Sequence, residues 1–396
     1  MLAGAMQIRL RPRHDRRLRR GHPWVFANEI DGDVAALPRG GVVDVTDARG
    51  EHLGRGTANP ASLIAVRVLT RDRSDDPDSA AFYARRLREA LARRERVCPG
   101  RRSLRLVHGE GDDLPGLVVD RYGDHVVAQL GTLGMELRKD LLEAALREVV
   151  APAGAVLRSE GPARRLEGLE DERRAWFGEV PDETEIEESG VRFGVGLLEG
   201  QKTGHFHDQA PNRAALAPLC RGADVLDVYA NSGGFGLHAL VAGAASCLFV
   251  DRSAQCAEAI RANAARNGVA ERARALVADG KDTLQQLVRD GRRFGVVMLD
   301  PPAFAKTRKA AGAALKGYLD VNALGMRLVE PGGLLATSSC SWHVEEERFL
   351  EVVVEAAARA GRRLALVRRG EQGPDHVIRP EIPETRYLKH LVFRVE

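Results

Sequence analysis

The sequence predicts an α/β chain: a parallel sheet wrapped by helices on both faces in its second half, preceded by a small all-β unit and a small α+β unit. Three observations carry this. From Ala223 onward, apolar runs of strand length (Val225 to Val228, ASCLFVD, ARALVAD, FGVVML and GLLAT) alternate with helix-like stretches, the pattern of strands joined by crossover helices. The later runs end near residues that can do chemistry, Asp251, Asp279, Asp300 and Cys340, on the carboxyl rim where ligands bind in such sheets. Ahead of them, residues 6–72 show only short β-like runs punctuated by Gly and Pro, and 396 residues exceed one typical domain.

Taken in order, the chain opens basic. Residues 1–73 hold 13 Lys or Arg against 8 Asp or Glu, and Arg9, Arg11, Arg13, Arg16, Arg17, Arg19 and Arg20 crowd the first twenty positions. Such a cluster either neutralises phosphates or is a solvated arm. GVVDVTD, HLGRGTA and SLIAVRVLT are the strand-like runs here, and Trp24 and Phe26 either stack bases or fill the core. The polar stretch RDRSDDPDS marks a boundary. Ala80 to Val97 then reads as an arginine-rich amphipathic helix with Phe82, Leu87 and Leu91 on its apolar side. Between Leu104 and Leu130, two strand-like runs flank the turn signals GEGDDLPG and DRYGD, and Leu137 to Val150 is another helix. Glu179 to Glu188 is an acidic connector, so domains are expected over 1–73, 74–188 and 189–396.

The second half is organised around Ala223 to Gly236, ADVLDVYANSGGFG. A buried strand breaks into a glycine turn (Gly233, Gly234, Gly236) and opens a helix through Leu237, Ala239 and Leu240. Glycine allows the tight backbone and leaves the main chain open to a ligand. Because Ala230, Asn231 and Ser232 stand where the first glycine of a G-x-G-x-x-G would come, the turn suits a nucleoside without a pyrophosphate. Asp251, 24 residues past Asp227, can accept both ribose hydroxyls. Asp279 and Asp282 follow the third run. After the fourth comes Asp300-Pro301-Pro302-Ala303-Phe304, where two prolines remove N–H donors and leave carbonyls. An acid with such carbonyls can grip a base edge, and the aromatic can stack on a base or wall the pocket.

The order GQKTGHF…DQ, VLDVYANSGGF, an acid at the second and third strand ends, DPPAF and SSCS resembles the RlmI-like family of class I S-adenosylmethionine-dependent 23S rRNA methyltransferases. The likeness runs from LRRGHPWVFANEI to ETRYLKHLVFRV. It implies a Rossmann-like class I methyltransferase domain, preceded by an RNA-binding PUA domain and the family's middle domain. It implies S-adenosylmethionine as cofactor, with Gln201, Lys202, Thr203 and Gly204 around the methionine part. Asp227, Tyr229, Asn231, Ser232, Gly233, Gly234, Phe235, Asp251, Asp279 and Asp300 are the other implied cofactor contacts. For RNA it implies Pro301, Pro302 and Phe304 at the base, with Arg16, Arg17, Arg19 and Arg20 on phosphates. Cys340 stands where the family carries its nucleophile, with Asp300 as its catalytic partner; Trp342 and His343 depart from the small residue expected after it.

Cys340 divides the chemistries. Carbon 5 of cytosine is a poor nucleophile and needs prior attack of a thiolate on carbon 6, whereas a base nitrogen can take the methyl group directly. Both enzyme readings stay open at this point. A non-catalytic RNA-binding protein with this fold is opposed by the intact Asp227, Asp251, Asp279 and DPP set. The expected partner is 23S rRNA or a large-subunit assembly intermediate; the sequence is compatible with a homodimer without fixing it. A net charge of +3 excludes a strongly basic binder over the whole chain. No apolar run approaches the roughly 18 residues of a membrane span, and no secretory signal is visible. Five cysteines without C-x-x-C fit a reducing compartment, so a cytoplasmic protein is expected. His205 and His207 form an H-x-H pair with no further Cys or His nearby, and no metal is expected.

Overall fold

The computed structural model describes residues 5–198, 204–304 and 311–396. The chain divides into two compact units: Met1–Thr184 with Val195–His205 and Pro374–Thr385, and Glu185–Gly194 with Phe206–Gly373 and Arg386–Glu396.

The first sheet is built from β1 (Met6–Leu10), β2 (Trp24–Phe26), β3 (Ile30–Asp31), β4 (Val42–Thr46), β5 (His52–Ala58) and β6 (Ile64–Thr70). Their order is β2-β6-β5-β4-β1-β3. Ile8 and Leu10, Val43 and Val45, and Val66 and Val68 point into one core, as residues two apart on a strand must. A one-turn helix, α1 (Arg16–Arg19), buries Leu18 in the same core and leaves its arginines outside.

In the same unit, α2 (Ala80–Val97) occupies the expected span, opened by Ser79, whose hydroxyl accepts the Phe82 N–H at 3.3 Å. The second sheet contains β7 (Ser103–His108), β8 (Leu117–Tyr122), β9 (His125–Leu130), β10 (Gly154–Ser159) and β11 (Glu172–Gly178), ordered β11-β10-β9-β8-β7. Three strands therefore lie where two runs were expected, because Gly123, at φ +62°, reverses the chain between Tyr122 and His125. Short α3 (Leu133–Glu136) leads into α4 (Lys139–Val149), and α5 (Pro162–Leu166) precedes β11. Phe82 and Leu87 of α2 and Leu142 and Leu146 of α4 share a core with Leu106, Val119 and Leu157.

The acidic connector over Glu179 to Glu188 is corrected. Its second part is a strand, β12 (Glu183–Glu188), paired with β13 (Val191–Gly196). Ile186 and Glu188 are buried while Glu185 and Glu187 face solvent, so acidic composition masked an alternating pattern.

The second unit carries the large sheet: β14 (Asp224–Val228), β15 (Ser246–Asp251), β16 (Ala273–Val277), β17 (Phe294–Leu299), β18 (Val329–Ser339), β19 (Leu364–Gly370) and β20 (Lys389–Val395). Its order is β16-β15-β14-β17-β18-β20-β19. The first five strands run parallel and β20 is antiparallel to both neighbours. The crossovers use α7 (Gly234–Val241), α8 (Ala254–Arg266), α9 (Gly280–Arg289), α10 (Ala311–Leu328) and α11 (Glu346–Ala360), with α6 (Ala210–Leu216) ahead of β14. Strand order reverses on either side of β14, which puts the switch point, and so the ligand crevice, off its carboxyl end. Neither β19 nor β20 was placed from sequence. The exposed face and paired arginines of β19 hide its strand character.

Candidate active site

The first functional element is the turn after β14. Asp227, almost wholly buried, accepts the Gly236 N–H at 2.9 Å and so fastens the start of α7 to the strand. Burial pushes its carboxyl up to about 7, partly offset by that hydrogen bond and reinforced by the charge of Asp300. Between them the backbone turns left-handed at Tyr229 (φ 66°), Asn231 (φ 50°) and Gly233 (φ 86°). For Tyr229 and Asn231 this is strain of the kind concentrated at functional loops, on the order of 1–3 kcal/mol each. Tertiary contacts hold it. The Tyr229 N–H donates to the Val250 carbonyl at 2.9 Å, and the ring fills the space over Gly280, where a Cβ would lie 2.7 Å from Cε1. The glycines divide their work: Gly233 supplies the positive φ, while Gly236 makes room for Phe249 and Cys247 of β15 rather than for a ligand. Phe235 turns inward and stacks on His390, ring centroids 5.4 Å apart. Ser232 gives its N–H to Asn231 Oδ1, and its carbonyl accepts from the Asn263 amide.

The strand-end acids line the same rim. Asp251 ends β15; one oxygen accepts the Asn231 N–H at 2.9 Å and the other accepts Ser253 N–H at 3.0 Å. A carboxylate offers about four acceptor directions, so beyond these two N–H groups this acceptor set fits a pair of vicinal hydroxyls. Asp279, exposed, caps α9 by accepting the Lys281 and Asp282 N–H groups at 2.9 and 3.1 Å. Asp300 follows β17. Gln209 Nε2 reaches its carboxylate at 3.1 Å and the Ser338 hydroxyl of β18 at 3.2 Å, and Ser338 pairs with His390 Nδ1 at 2.9 Å. Asn212 holds Gln209 in turn, at 2.7 Å. Full burial pushes the His390 imidazole down to about 3, so it is neutral here. Gln209, Asn212, Ser338 and His390 were missed from sequence. Gln209, Ser338 and His390 fall in segments that carry the family resemblance, but nothing in the sequence beyond their polarity marks them or Asn212 as site residues.

Pro301 is buried, Pro302 is exposed, and Phe304 packs on Tyr318 at 4.8 Å between ring centroids. Tyr318 belongs to α10 and touches the segment after β18, its hydroxyl accepting from Ser339 and lying 3.0 Å from Ser341 Oγ. Cys340 is the first residue past β18 and is partly exposed. The other four cysteines are buried, and burial pushes every one of those thiols up, Cys220 to about 12. Behind Cys340, Lys389 of β20 donates to the carbonyls of Ser341 and Tyr387 at 2.7 and 2.8 Å. Trp342 and His343 stack edge to face beside it. The acids, the DPP segment and Cys340 are thus brought to one edge of one sheet.

The basic residues lie in the first unit. Arg17 pairs with Glu29 and covers the Phe26 ring at 4.4 Å, and Arg19 is shared among Asp15, Asp47 and Glu51. Arg16 and Arg20 are exposed and have no carboxylate partner among the described residues. Trp24 gives its indole N–H to Glu110 at 2.9 Å. Gly204 adopts φ +124°, and a Cβ there would lie 2.6 Å from Val195 Cγ1. Gln201, Lys202 and Thr203 lie outside the described residues.

Comparison with known proteins gives this arrangement a family. Residues 8–71 match the PUA-like domain and residues 212–326 match the family described as conserved hypothetical protein 95. Ribosomal RNA large subunit methyltransferase I from Shewanella denitrificans is 40% identical, covering 99% of this chain and all of that protein. The protein of the same name from Pseudoalteromonas atlantica is 35% identical over 98% of this chain and 99% of its own. Among solved structures, one described as a SAM-dependent methyltransferase from Streptococcus mutans superposes with a TM-score of 0.84 at 18% identity, covering 98% of this chain and all of that one. A methyltransferase complexed with SAH gives a TM-score of 0.85, also at 18% identity, over 99% of this chain and all of that one. The sheet order is that of the class I methyltransferase fold, and the chain belongs to the ribosomal RNA large subunit methyltransferase I family of S-adenosylmethionine-dependent enzymes.

Proposed function

We propose that the protein methylates carbon 5 of a cytosine in 23S rRNA, in the cytoplasm, through a covalent bond between Cys340 and the base. One observation carries this reading: the only partly exposed cysteine stands directly past β18, whose parallel neighbour β17 leads into Asp300-Pro301-Pro302. Neighbouring strands run about 4.8 Å apart, within reach of one base. Residues 1–73 are the proposed RNA-binding domain, 74–188 the middle domain and 189–396 the catalytic domain.

In this reading Asp227 and the turn from Tyr229 to Phe235 shape the cofactor crevice, Asp251 accepts the ribose hydroxyls, and Asp279 lines the nucleoside edge. Gln201, Lys202, Thr203 and Gly204 are assigned to its methionine part. S-adenosylmethionine supplies an electrophilic methyl group when bound. The Cys340 thiolate adds to carbon 6, and the electron pair of the C5–C6 double bond is pushed toward carbon 5 and N3. Asp300, oriented by Gln209, holds a proton at N3, while the carbonyls around Pro301 and Pro302 receive the exocyclic amine. Carbon 5 takes the methyl group. Its proton then leaves to a base, the electron pair of that C–H bond restores the C5–C6 double bond, and the thiolate departs. Phe304 supports the pocket wall through Tyr318. Arg16 and Arg20 are favoured over Arg17 and Arg19 as phosphate ligands, because the latter two already serve carboxylates.

Mass spectrometric mapping of 23S rRNA from a deletion strain tests the product: one 5-methylcytidine should disappear. Loss of a methylated guanine or of an exocyclic N-methyl group instead would replace the carbon-5 reading with the nitrogen one.

A further inference from the structure

We propose that Lys389 holds Cys340 as the thiolate, an ammonium set behind the nucleophile by the antiparallel pairing of β20 with β18; this rests on Cys340 being the residue that attacks carbon 6. In register, Lys389 lies opposite Ser339, one residue before Cys340. Its side chain is buried, and its Nζ is pinned at 2.7 Å by the carbonyl of Ser341, the residue after the thiol, and at 2.8 Å by that of Tyr387 on its own segment. Carbonyl dipoles solvate a cation but do not neutralise it, and a buried charge is costly without a counter-charge.

Among the described residues, the charged and titratable groups facing it are few. Arg386, just ahead on the chain, adds a like charge. Glu346, at the start of α11, is already shared by Arg369 and Arg386 at 2.9 and 3.1 Å. Tyr318 of α10, its phenol pushed further from ionisation by burial, offers only a neutral hydroxyl. Among the described residues, the anion left to face it is the Cys340 thiolate. Burial draws the Lys389 ammonium down to about 8, and the charge of Cys340 is the largest influence in the opposite direction. The interaction is mutual, so the ammonium favours the thiolate as much as the thiolate favours the ammonium. Lys389 is thus a positioning residue. It keeps its proton throughout: Cys340 enters as thiolate and leaves as thiolate, and the carbon-5 proton goes elsewhere.

The test is the rate at which iodoacetamide alkylates Cys340 in the full chain, followed by peptide mass spectrometry between pH 5.5 and 9.5. In Lys389→Met the curve should move about one unit to higher pH, which lowers the rate at pH 7 about tenfold, and Lys389→Arg should restore most of it. Methylation should follow, with kcat falling about tenfold at pH 7, recovering near pH 9, and KM for RNA unchanged. An unmoved alkylation curve in a variant that still binds S-adenosylmethionine overturns the proposal. Should Lys389→Met not fold, the titration of Lys389 Nζ by NMR in Cys340→Ser decides: its midpoint should fall, and an unchanged midpoint overturns the pairing. Failure of the carbon-5 reading looks different, since Cys340→Ala would then methylate normally while the alkylation curve still depended on Lys389.

Discussion

Two aspartates that look alike in the sequence have opposite situations in the fold. Asp251 is partly exposed at the rim of the sheet, whereas Asp227 is sealed beneath the turn. Asp251→Ala should weaken S-adenosylmethionine binding roughly tenfold to a hundredfold, the loss of about 1.5–3 kcal/mol expected for hydrogen bonds to a charged group. Calorimetry on the folded variant checks this; an unchanged dissociation constant removes the assignment. For Asp227 the informative variable is pH. Its folded pKa of about 7 lies above the ordinary carboxylate value near 4, so its stabilising contribution is complete below about pH 4 and is lost as pH rises through 7. Asp227→Asn keeps an acceptor for Gly236 and cannot ionise. Its Tm relative to the parent should therefore climb between pH 5 and 8, and a constant gap in scanning calorimetry would show that the carboxyl does not titrate there. Both acids were legible in the sequence, Asp251 because strand ends follow from where apolar runs stop and Asp227 because it interrupts the apolar run just before the glycine turn. Gln209 and Lys389 were not, because each reaches the site from a segment distant in the chain and only the sheet pairing brings it there.

At the scale of elements, capping and ligand binding compete for the same side chain in Asp279. It is the N-cap of α9, so Asp279→Ala should cost about 1 kcal/mol of stability, while Asp279→Asn preserves the cap to within a few tenths. Any loss of cofactor affinity in the Asn variant then reports a direct role in ligand binding, and urea melts with binding isotherms on both variants separate the two roles. Equal cofactor affinity in Asp279→Asn and the parent would leave Asp279 a cap alone. Element boundaries were readable where a local device fixes them. Ser79 opens α2 at the expected residue, and Gly268, at φ +68°, follows the end of α8. They were unreadable where composition and period disagree, as in β12, whose glutamates disguise a half-buried strand. The turn at Tyr229 and Asn231 was legible as a turn but not as a strained one, since asparagine visits positive φ readily while tyrosine gives no sign of it.

For the whole molecule, net charge says little and its placement more. Arg16→Glu with Arg20→Glu should weaken RNA binding and reduce the slope of log affinity against log salt by about 0.7–0.9 for each phosphate no longer neutralised, leaving cofactor affinity intact. Filter binding across a salt series checks this, and an unchanged slope would return both residues to the solvated surface. Deleting residues 1–72 is a poorer test, because Asn59 is tied to Glu167 and Gly40 to Arg138 within the same unit. The three larger sheets were legible because each has its own patterned segment, while the route of residues 374–385 into the first unit was not, being set by long-range hydrogen bonds such as Arg105 N–H to Asp375 at 3.0 Å. The central claim is a covalent bond between Cys340 and carbon 6. Fluorine at carbon 5 cannot leave as a proton does, so RNA containing 5-fluorocytidine, incubated with S-adenosylmethionine, should form a denaturant-resistant adduct mapped to Cys340. The adduct should be absent in Cys340→Ala, which should also fail to methylate while binding cofactor and RNA. No adduct with the parent protein, together with near-normal methylation by Cys340→Ala, would contradict it.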